Sequence, residues 1–180
     1  MRHEWYDRCA NSVSEALSVL DFLRHREAIT AATVEALHRR RHTADIALKA
    51  AFEELRRAFI TPADREDLWL LWQTAEQITE AAEEIVLSLI RKQHSCLTPN
   101  DTAQLAAVTA ECRALHEAFA ALPDYPHSDR VLQHVDTAER LHRQTEKITG
   151  HPLTDAALRH VSATCATATR TIRYALLKMT

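Results

Sequence analysis

Glycine is almost absent from this sequence, and proline is scarce. The 180 residues include one glycine and five prolines, whereas hairpins and tight β-turns depend on these residues. The chain is rich instead in alanine, leucine, glutamate, arginine and glutamine, which favour helix. This composition predicts an all-α protein, and the length of the chain suits a single domain that needs neither a metal nor a disulfide for its stability.

Long apolar runs and a strong excess of one charge are also missing. No stretch reaches the ~18 uncharged residues that a membrane-spanning helix requires, and Met1 is followed by polar residues rather than an apolar leader, so we expect a cytoplasmic protein. The formal net charge of −3 argues against nucleic acid as a partner, because a polyanion binds to a basic face. The basic run from His38 to His42 is explained most simply as a solvated helix face.

Motifs of catalysis and of cysteine chemistry are not found. The sequence contains no G-x-S-x-G motif and no glycine-rich phosphate loop, so we expect a protein that acts by binding and not as an enzyme. A disulfide framework or a thiolate zinc site would contain closely spaced cysteine pairs. The four cysteines are far apart, and we expect reduced, mostly buried thiols at Cys9, Cys96, Cys112 and Cys165.

Apolar residues that recur every three or four positions divide the chain into about six amphipathic helices. The first helix is expected at about 3–23, and the second at about 29–59, where its apolar stripe should face the core. Thr61, followed by Pro62 and Asp64, predicts the N-cap of the third helix, which should end within 92–96. The same pattern at Thr98, Pro99 and Asp101 predicts the start of the fourth.

The last two helices are bounded by a proline-rich segment and by the single glycine. Residues 123–127 contain two prolines and should form a loop, after which Ser128 is expected to cap the fifth helix. Gly150 is expected to end that helix in the left-handed conformation. Pro152 then separates it from a sixth helix that starts at Thr154.

A weak internal similarity relates the second and third helices to the fifth and sixth. The segment from Asp67 to Lys92 matches the segment from Asp155 to Thr180 in length, and short motifs align between the two halves. We therefore expect one domain, residues 1–180, built from two three-helix repeats with halves at about 1–95 and 96–180.

The segment FITPADREDL, residues 59–68, resembles the signature of the PhoU-like Pit accessory proteins, a family of phosphate transport regulators. In that family the motif has the form F-I-T-P-x-D-R-E-D-I. The closing residues Leu176, Leu177 and Lys178 are similar to the apolar-apolar-Lys ending of the same family. The resemblance implies a PhoU-like fold of two three-helix repeats and an accessory role in phosphate uptake, with a Pit-type phosphate transporter as the partner at the membrane face.

The resemblance also implies metal clusters, which are built in that family from carboxylates four residues apart on neighbouring helices. The pattern is incomplete here. Asp45 remains on the second helix, where Arg41 takes the place of its partner, and Glu76 and Glu80 remain on the third. We therefore expect at most one metal site, holding a divalent or iron cation through Asp45, Glu76 and Glu80. In the second half, Val135, Thr164 and Ala168 stand at positions where carboxylates would be needed.

Other interpretations remain open from the sequence. One is a metal-loaded carboxylate bundle for storage or sensing, and His38 with His42 offers zinc-compatible ligands four residues apart. Another is a divergent, metal-free interaction module. A homo-oligomer is also compatible with the sequence. The usual residue preferences at the start of a helix explain Thr61, Pro62 and Asp64 without any ligand. A helix N-terminus next to Arg65 could nevertheless hold an anion.

Overall fold

Six α-helices make up most of the chain. The computed structural model describes residues 2–25, 30–58, 61, 63–91, 97–124, 128–150 and 152–179. No strand occurs within these ranges, which confirms the all-α prediction. The elements are α1 (Arg2–Arg24), α2 (Ala31–Arg57), α3 (Arg65–Arg91), α4 (Pro99–Ala121), a short 3-10 helix (Leu122–Asp124), α5 (Ser128–Thr145) and α6 (Pro152–Met179).

The core lies among α1, α3, α4 and α6. Helix α1 packs on both α3 and α4, α3 packs on α6, and α5 packs on α4 and α6. The largest fully buried side chains come from all of these helices except α5, and include Leu20, Ile78, Phe119 and Ile172. Helices from both halves of the chain therefore bury their apolar stripes in one shared core.

Helix α2 is peripheral, contrary to the expectation that its apolar stripe faces the core. Its backbone lies close to α3 alone among the described helices, and only Ala51 and Leu55 of this helix are buried. Ile46 and Phe52 are 56% and 42% exposed. The predicted end at Phe59 lies outside the described residues, and the last helical residue is Arg57.

The two Thr-Pro-x-Asp segments behave differently. Thr98 is the N-cap of α4, where its hydroxyl accepts a hydrogen bond from the Asp101 amide and Asp101 accepts one from the Thr98 amide, so this prediction is confirmed. The prediction for Thr61 is wrong, because α3 begins only at Arg65. The Thr61 hydroxyl instead donates to the Ala63 carbonyl at 2.7 Å, ahead of the first residue of the helix.

This difference leads to a matched pair of substitutions. Thr98→Ala should lower the free energy of unfolding by about 1 kcal/mol, because it removes a working N-cap. Thr61→Ala should cost clearly less, since the hydroxyl of Thr61 contacts the Ala63 carbonyl and is not seen to accept from an amide of α3 in the described part of the chain. Urea denaturation followed by far-UV circular dichroism measures both, and equal losses for the two variants would contradict the capping assignment.

Gly150, the single glycine, lies where two side chains of α4 come close to the backbone, and not at the end of a helix. Helix α5 ends at Thr145 rather than at Gly150, and Gly150 does not adopt the left-handed conformation. A Cβ atom added at Gly150 would lie 2.6 Å from Asp101 Oδ1 and 2.7 Å from Gln104 Oε1. Helix α6 begins at Pro152, two residues before the predicted start at Thr154.

A helix that crosses a bilayer must be both long and apolar. None of the helices within the described ranges is both long enough and apolar enough to cross a membrane.

Candidate functional site

Three carboxylates lie along one face of α3, four and three residues apart. Glu76 is half-buried, Glu80 is exposed, and Glu83 is only 2% exposed. Such spacings place side chains on the same side of a helix. This face is therefore an acidic strip that ends in a buried carboxylate, which needs a partner because burying an unpaired charge is costly.

Two arginines of α2 supply that partner. Arg40 donates to Glu83 and also to Glu15 of α1, and the Nε atom of Arg41 lies 3.5 Å from Glu83 Oε2. The basic segment of α2 that contains Arg40 and Arg41 thus lies against the acidic strip of α3. The α2 backbone approaches α3 but not α1, and the contact between Arg40 and Glu15 joins the peripheral helix to α1 as well.

The electrostatics of Glu76 follow from the same arrangement. Burial raises the pKa of Glu76 above its ordinary value, while a hydrogen bond from Ser12, the positive charge of Arg40 and a hydrogen bond from Trp72 act in the opposite direction. Ser12, Arg40 and Trp72 therefore favour the ionised form of Glu76, whereas burial and the nearby charge of Glu15 favour the neutral form.

The residues expected to bind metal are not brought together as a set of ligands. Asp45 is exposed on α2, and no three histidine, cysteine, aspartate or glutamate side chains in the described part of the chain form a group that could hold a metal ion. Arg40 and Arg41 lie where a cation would have to compensate the carboxylates of α3, and an arginine offsets the charge that attracts a metal. This donor set does not fit a metal cluster, and metal binding by Asp45, Glu76 and Glu80 stays an untested prediction.

An open pocket of about 430 Å³ lies beside this strip, between α2, α3 and α6. Its lining carries charges of both signs, so it offers no strong preference for a small anion or a small cation. The lining residues are Arg41, Gln77, Glu80, Ala81, Glu84, His160 and Thr164.

A second polar feature joins the two segments that carry the family resemblance. Asp67, the ninth residue of the FITPADREDL segment, is buried. Its two carboxylate oxygens accept hydrogen bonds from the Lys178 ammonium at 3.0 and 3.1 Å, and Asp64 lies 3.7 Å from the same ammonium. These contacts raise the pKa of Lys178, chiefly through the hydrogen bond to Asp67. We call this pair the clasp, because it ties the start of α3 to the end of α6.

Exposed apolar side chains occur on the same two helix segments as the clasp. Leu70 on α3 is 41% exposed, and Leu177 on α6 is 75% exposed. Tyr174 is also exposed, and its ring centroid lies 4.9 Å from the Lys178 ammonium. We refer to Leu70, Tyr174 and Leu177 as the clasp face. Contiguous apolar surface with a polar rim often marks a site that binds another protein.

Arg65, at the start of α3, has a partner within the chain. Its guanidinium donates to the Ala58 carbonyl at the end of α2. The arginine therefore bridges the connection between α2 and α3, which gives it a structural role.

Comparison with known proteins identifies the fold. No protein-family model and no curated protein matches the chain. A crystal structure of a PhoU-like protein from Shewanella oneidensis MR-1 is similar over 98% of this chain and 96% of that one, with a TM-score of 0.59 and 16% sequence identity. The chain has a PhoU-like fold. At this identity the likeness concerns the fold alone, and function has to be argued from the residues.

Sequence reasoning missed two important members of the site in this PhoU-like bundle, Glu83 and Arg40. A search for carboxylates four residues apart leads from Glu80 to Glu84, whereas the buried carboxylate is Glu83, three residues after Glu80 on the same helical face. The sequence does contain that signal. Arg40 could not be distinguished from Arg39 or Arg41, because the register of α2 against α3 is set by tertiary packing.

Proposed function

We propose that this protein is a non-enzymatic accessory or regulatory protein of phosphate transport, which acts in the cytoplasm by docking on a Pit-type transporter. The clasp is the observation that carries the proposal. The resemblance to Pit accessory proteins rests on FITPADREDL and on the closing Leu-Leu-Lys. Asp67 belongs to the first motif and Lys178 to the second, and these two residues are in contact although they are 111 residues apart in the sequence. The contact supports the view that the two motifs belong to the same surface.

The clasp face is the part of the surface that we assign to docking. Burial of Asp67 and its pairing with Lys178 fix the ends of α3 and α6 relative to each other, and Leu70 and Leu177 then present apolar surface from two helices. A preformed apolar surface of this kind loses little conformational freedom on binding. The polar surroundings would set the orientation of the partner.

The test uses the purified transporter in nanodiscs and the full-length chain. We expect the wild-type protein to bind these nanodiscs and to alter phosphate uptake when the transporter is reconstituted into vesicles. The double variant Leu70→Ser, Leu177→Ser should lose most of the binding, because it removes apolar contact area from both helices. Ile46→Ser is the matched control and should bind normally, because Ile46 is an apolar residue of α2 with an exposure between those of Leu70 and Leu177.

Two outcomes would contradict the proposal. Binding to empty nanodiscs as strong as binding to loaded ones would mean that lipid, and not the transporter, is recognised. Unchanged phosphate uptake in the presence of bound protein would remove the accessory role. The alternative function, a carboxylate bundle that stores or senses metal, is disfavoured because Arg40 and Arg41 lie against the carboxylates of α3.

A further inference from the structure

Glu111 is the most deeply buried acidic residue in the described part of the chain. It lies in the middle of α4 with no exposed surface. One oxygen, Oε2, accepts a hydrogen bond of 2.7 Å from the Ser162 hydroxyl of α6. The other, Oε1, is buried without a hydrogen-bond partner in the described part of the chain, which is costly for a carboxylate but much less so for a neutral carboxyl group.

A chain of two hydrogen bonds leads from this carboxyl group towards solvent. The Nδ1 atom of His142, on α5, lies 2.8 Å from the Ser162 hydroxyl oxygen and 3.4 Å from Glu111 Oε1. The His142 side chain is 21% exposed, so its ring reaches the surface. A hydroxyl group both donates and accepts, and Ser162 can therefore pass a proton in either direction between the buried carboxyl group and the partly exposed imidazole.

The other titratable groups around Glu111 do not compensate a negative charge there. On α5, Glu146 lies 3.8 Å from His142 Nε2 and repels a charge on Glu111. Cys112 on α4 and Cys165 on α6 are buried thiols, and the titratable side chains that α1 buries are Tyr6 and Cys9. Burial accordingly raises the pKa of Glu111 to about 8, against the opposing effect of the Ser162 hydrogen bond.

We propose that Glu111 is a proton-binding site that is occupied at neutral pH, with Ser162 and His142 as its path to solvent. On release, the carboxyl proton moves to the Ser162 oxygen, the Ser162 proton moves to His142 Nδ1, and His142 gives up a proton from Nε2 to water. No atom is gained or lost by the three residues except that one proton. The carboxylate that remains weakens the contact among α4, α5 and α6, so the site makes the second half of the bundle sensitive to alkaline pH. This proposal is independent of the proposed function.

Infrared spectroscopy tests the occupancy without any variant. A protonated carboxylic acid has a carbonyl band that is separate from the bands of carboxylates. We expect one such band in the wild-type protein at pH 7 and its disappearance as the pH is raised through about 8. The band should be missing in Glu111→Gln and unchanged in Glu117→Gln, which alters an exposed carboxyl on the same helix. The absence of a band at pH 7 in the wild-type protein would overturn the proposal.

The pH dependence of unfolding provides the second test. The unfolded chain loses this proton near the ordinary value of 4.5, and the folded protein loses it near 8. Between these values the folded state binds more protons than the unfolded state, so stability should fall as the pH rises. The unfolding constant of the wild-type protein, divided by that of Glu111→Gln, should therefore increase by up to tenfold per pH unit. Below pH 4.5 and above pH 8 the ratio should be constant. A ratio that is constant throughout would overturn the proposal.

Ser162→Ala tests the path. Because the Ser162 hydrogen bond favours the ionised form, its removal should move the titration of the infrared band to higher pH, and it should slow the response of the band to a pH jump. A serine that only hydrogen-bonds the carboxyl group would move the titration and leave the rate unchanged. A band that responds to the pH jump at the wild-type rate in this variant would therefore rule out Ser162 as the path.

Discussion

Replacement of Gly150 by alanine should destabilise the protein by about 1–3 kcal/mol, the usual effect of forcing extra atoms into a packed site. The added Cβ would lie 2.6 Å from Asp101 Oδ1 and 2.7 Å from Gln104 Oε1, well inside ordinary contact distance. Both side chains are buried. They cannot turn away freely, because Gln104 donates to Asp155 at 2.8 Å and Asp101 completes the N-cap of α4 with Thr98.

The neighbour of the glycine provides the control. Thr149 is exposed in the same connection between α5 and α6, so Thr149→Ala should change the free energy of unfolding by less than about 0.5 kcal/mol. Because Gly150→Ala disturbs the capping box of α4, its effect should not add to that of Thr98→Ala in a double-mutant cycle. Wild-type stability of Gly150→Ala in urea denaturation would mean that Asp101 and Gln104 move aside at little cost.

Local signals predicted the helices well and their terminal details less well. The period of the apolar residues was sufficient to give six helices, and the pattern at Thr98 gave the correct start of α4. The same pattern at Thr61 failed, although the two segments differ in only one of four residues. Asp67 must reach Lys178 and Arg65 must reach Ala58, so tertiary contacts, which no local pattern contains, decide where α3 begins.

The candidate site was predictable on one helix at a time. The four-residue spacing correctly places Glu76 and Glu80 on one face of α3. Which side chains of α2 meet that face depends on the register between two helices, and the sequence pattern suggested Asp45 where the structure has Arg40. Glu111 was missed for the same reason, because its partners Ser162 and His142 come from two other helices.

The double variant Arg40→Met, Arg41→Met should lose about 3–5 kcal/mol of stability at neutral pH. Glu83 is 2% exposed, and the two arginines are its cationic partners among the ion pairs of the described residues. Their removal leaves a buried carboxylate without compensation, which is the costly way to break such a pair. Arg41→Met alone should cost much less, since its side chain is 39% exposed and its contact is longer, at 3.5 Å.

Addition of Glu83→Gln to the double variant should restore most of the lost stability, because the uncompensated charge is then gone. No recovery would mean that the arginines act through packing instead.

The same variants test whether arginine has taken the place of metal on this face. Without the arginines, Glu76, Glu80 and Glu83 form an uncompensated acidic strip, and carboxylate oxygens are good ligands for hard cations. Mn²⁺ should therefore raise the melting temperature of the double variant and have little effect on the wild-type protein. Equal stabilisation of both proteins by Mn²⁺ would show that the arginines do not exclude a cation, and would return Asp45, Glu76 and Glu80 to consideration as its ligands.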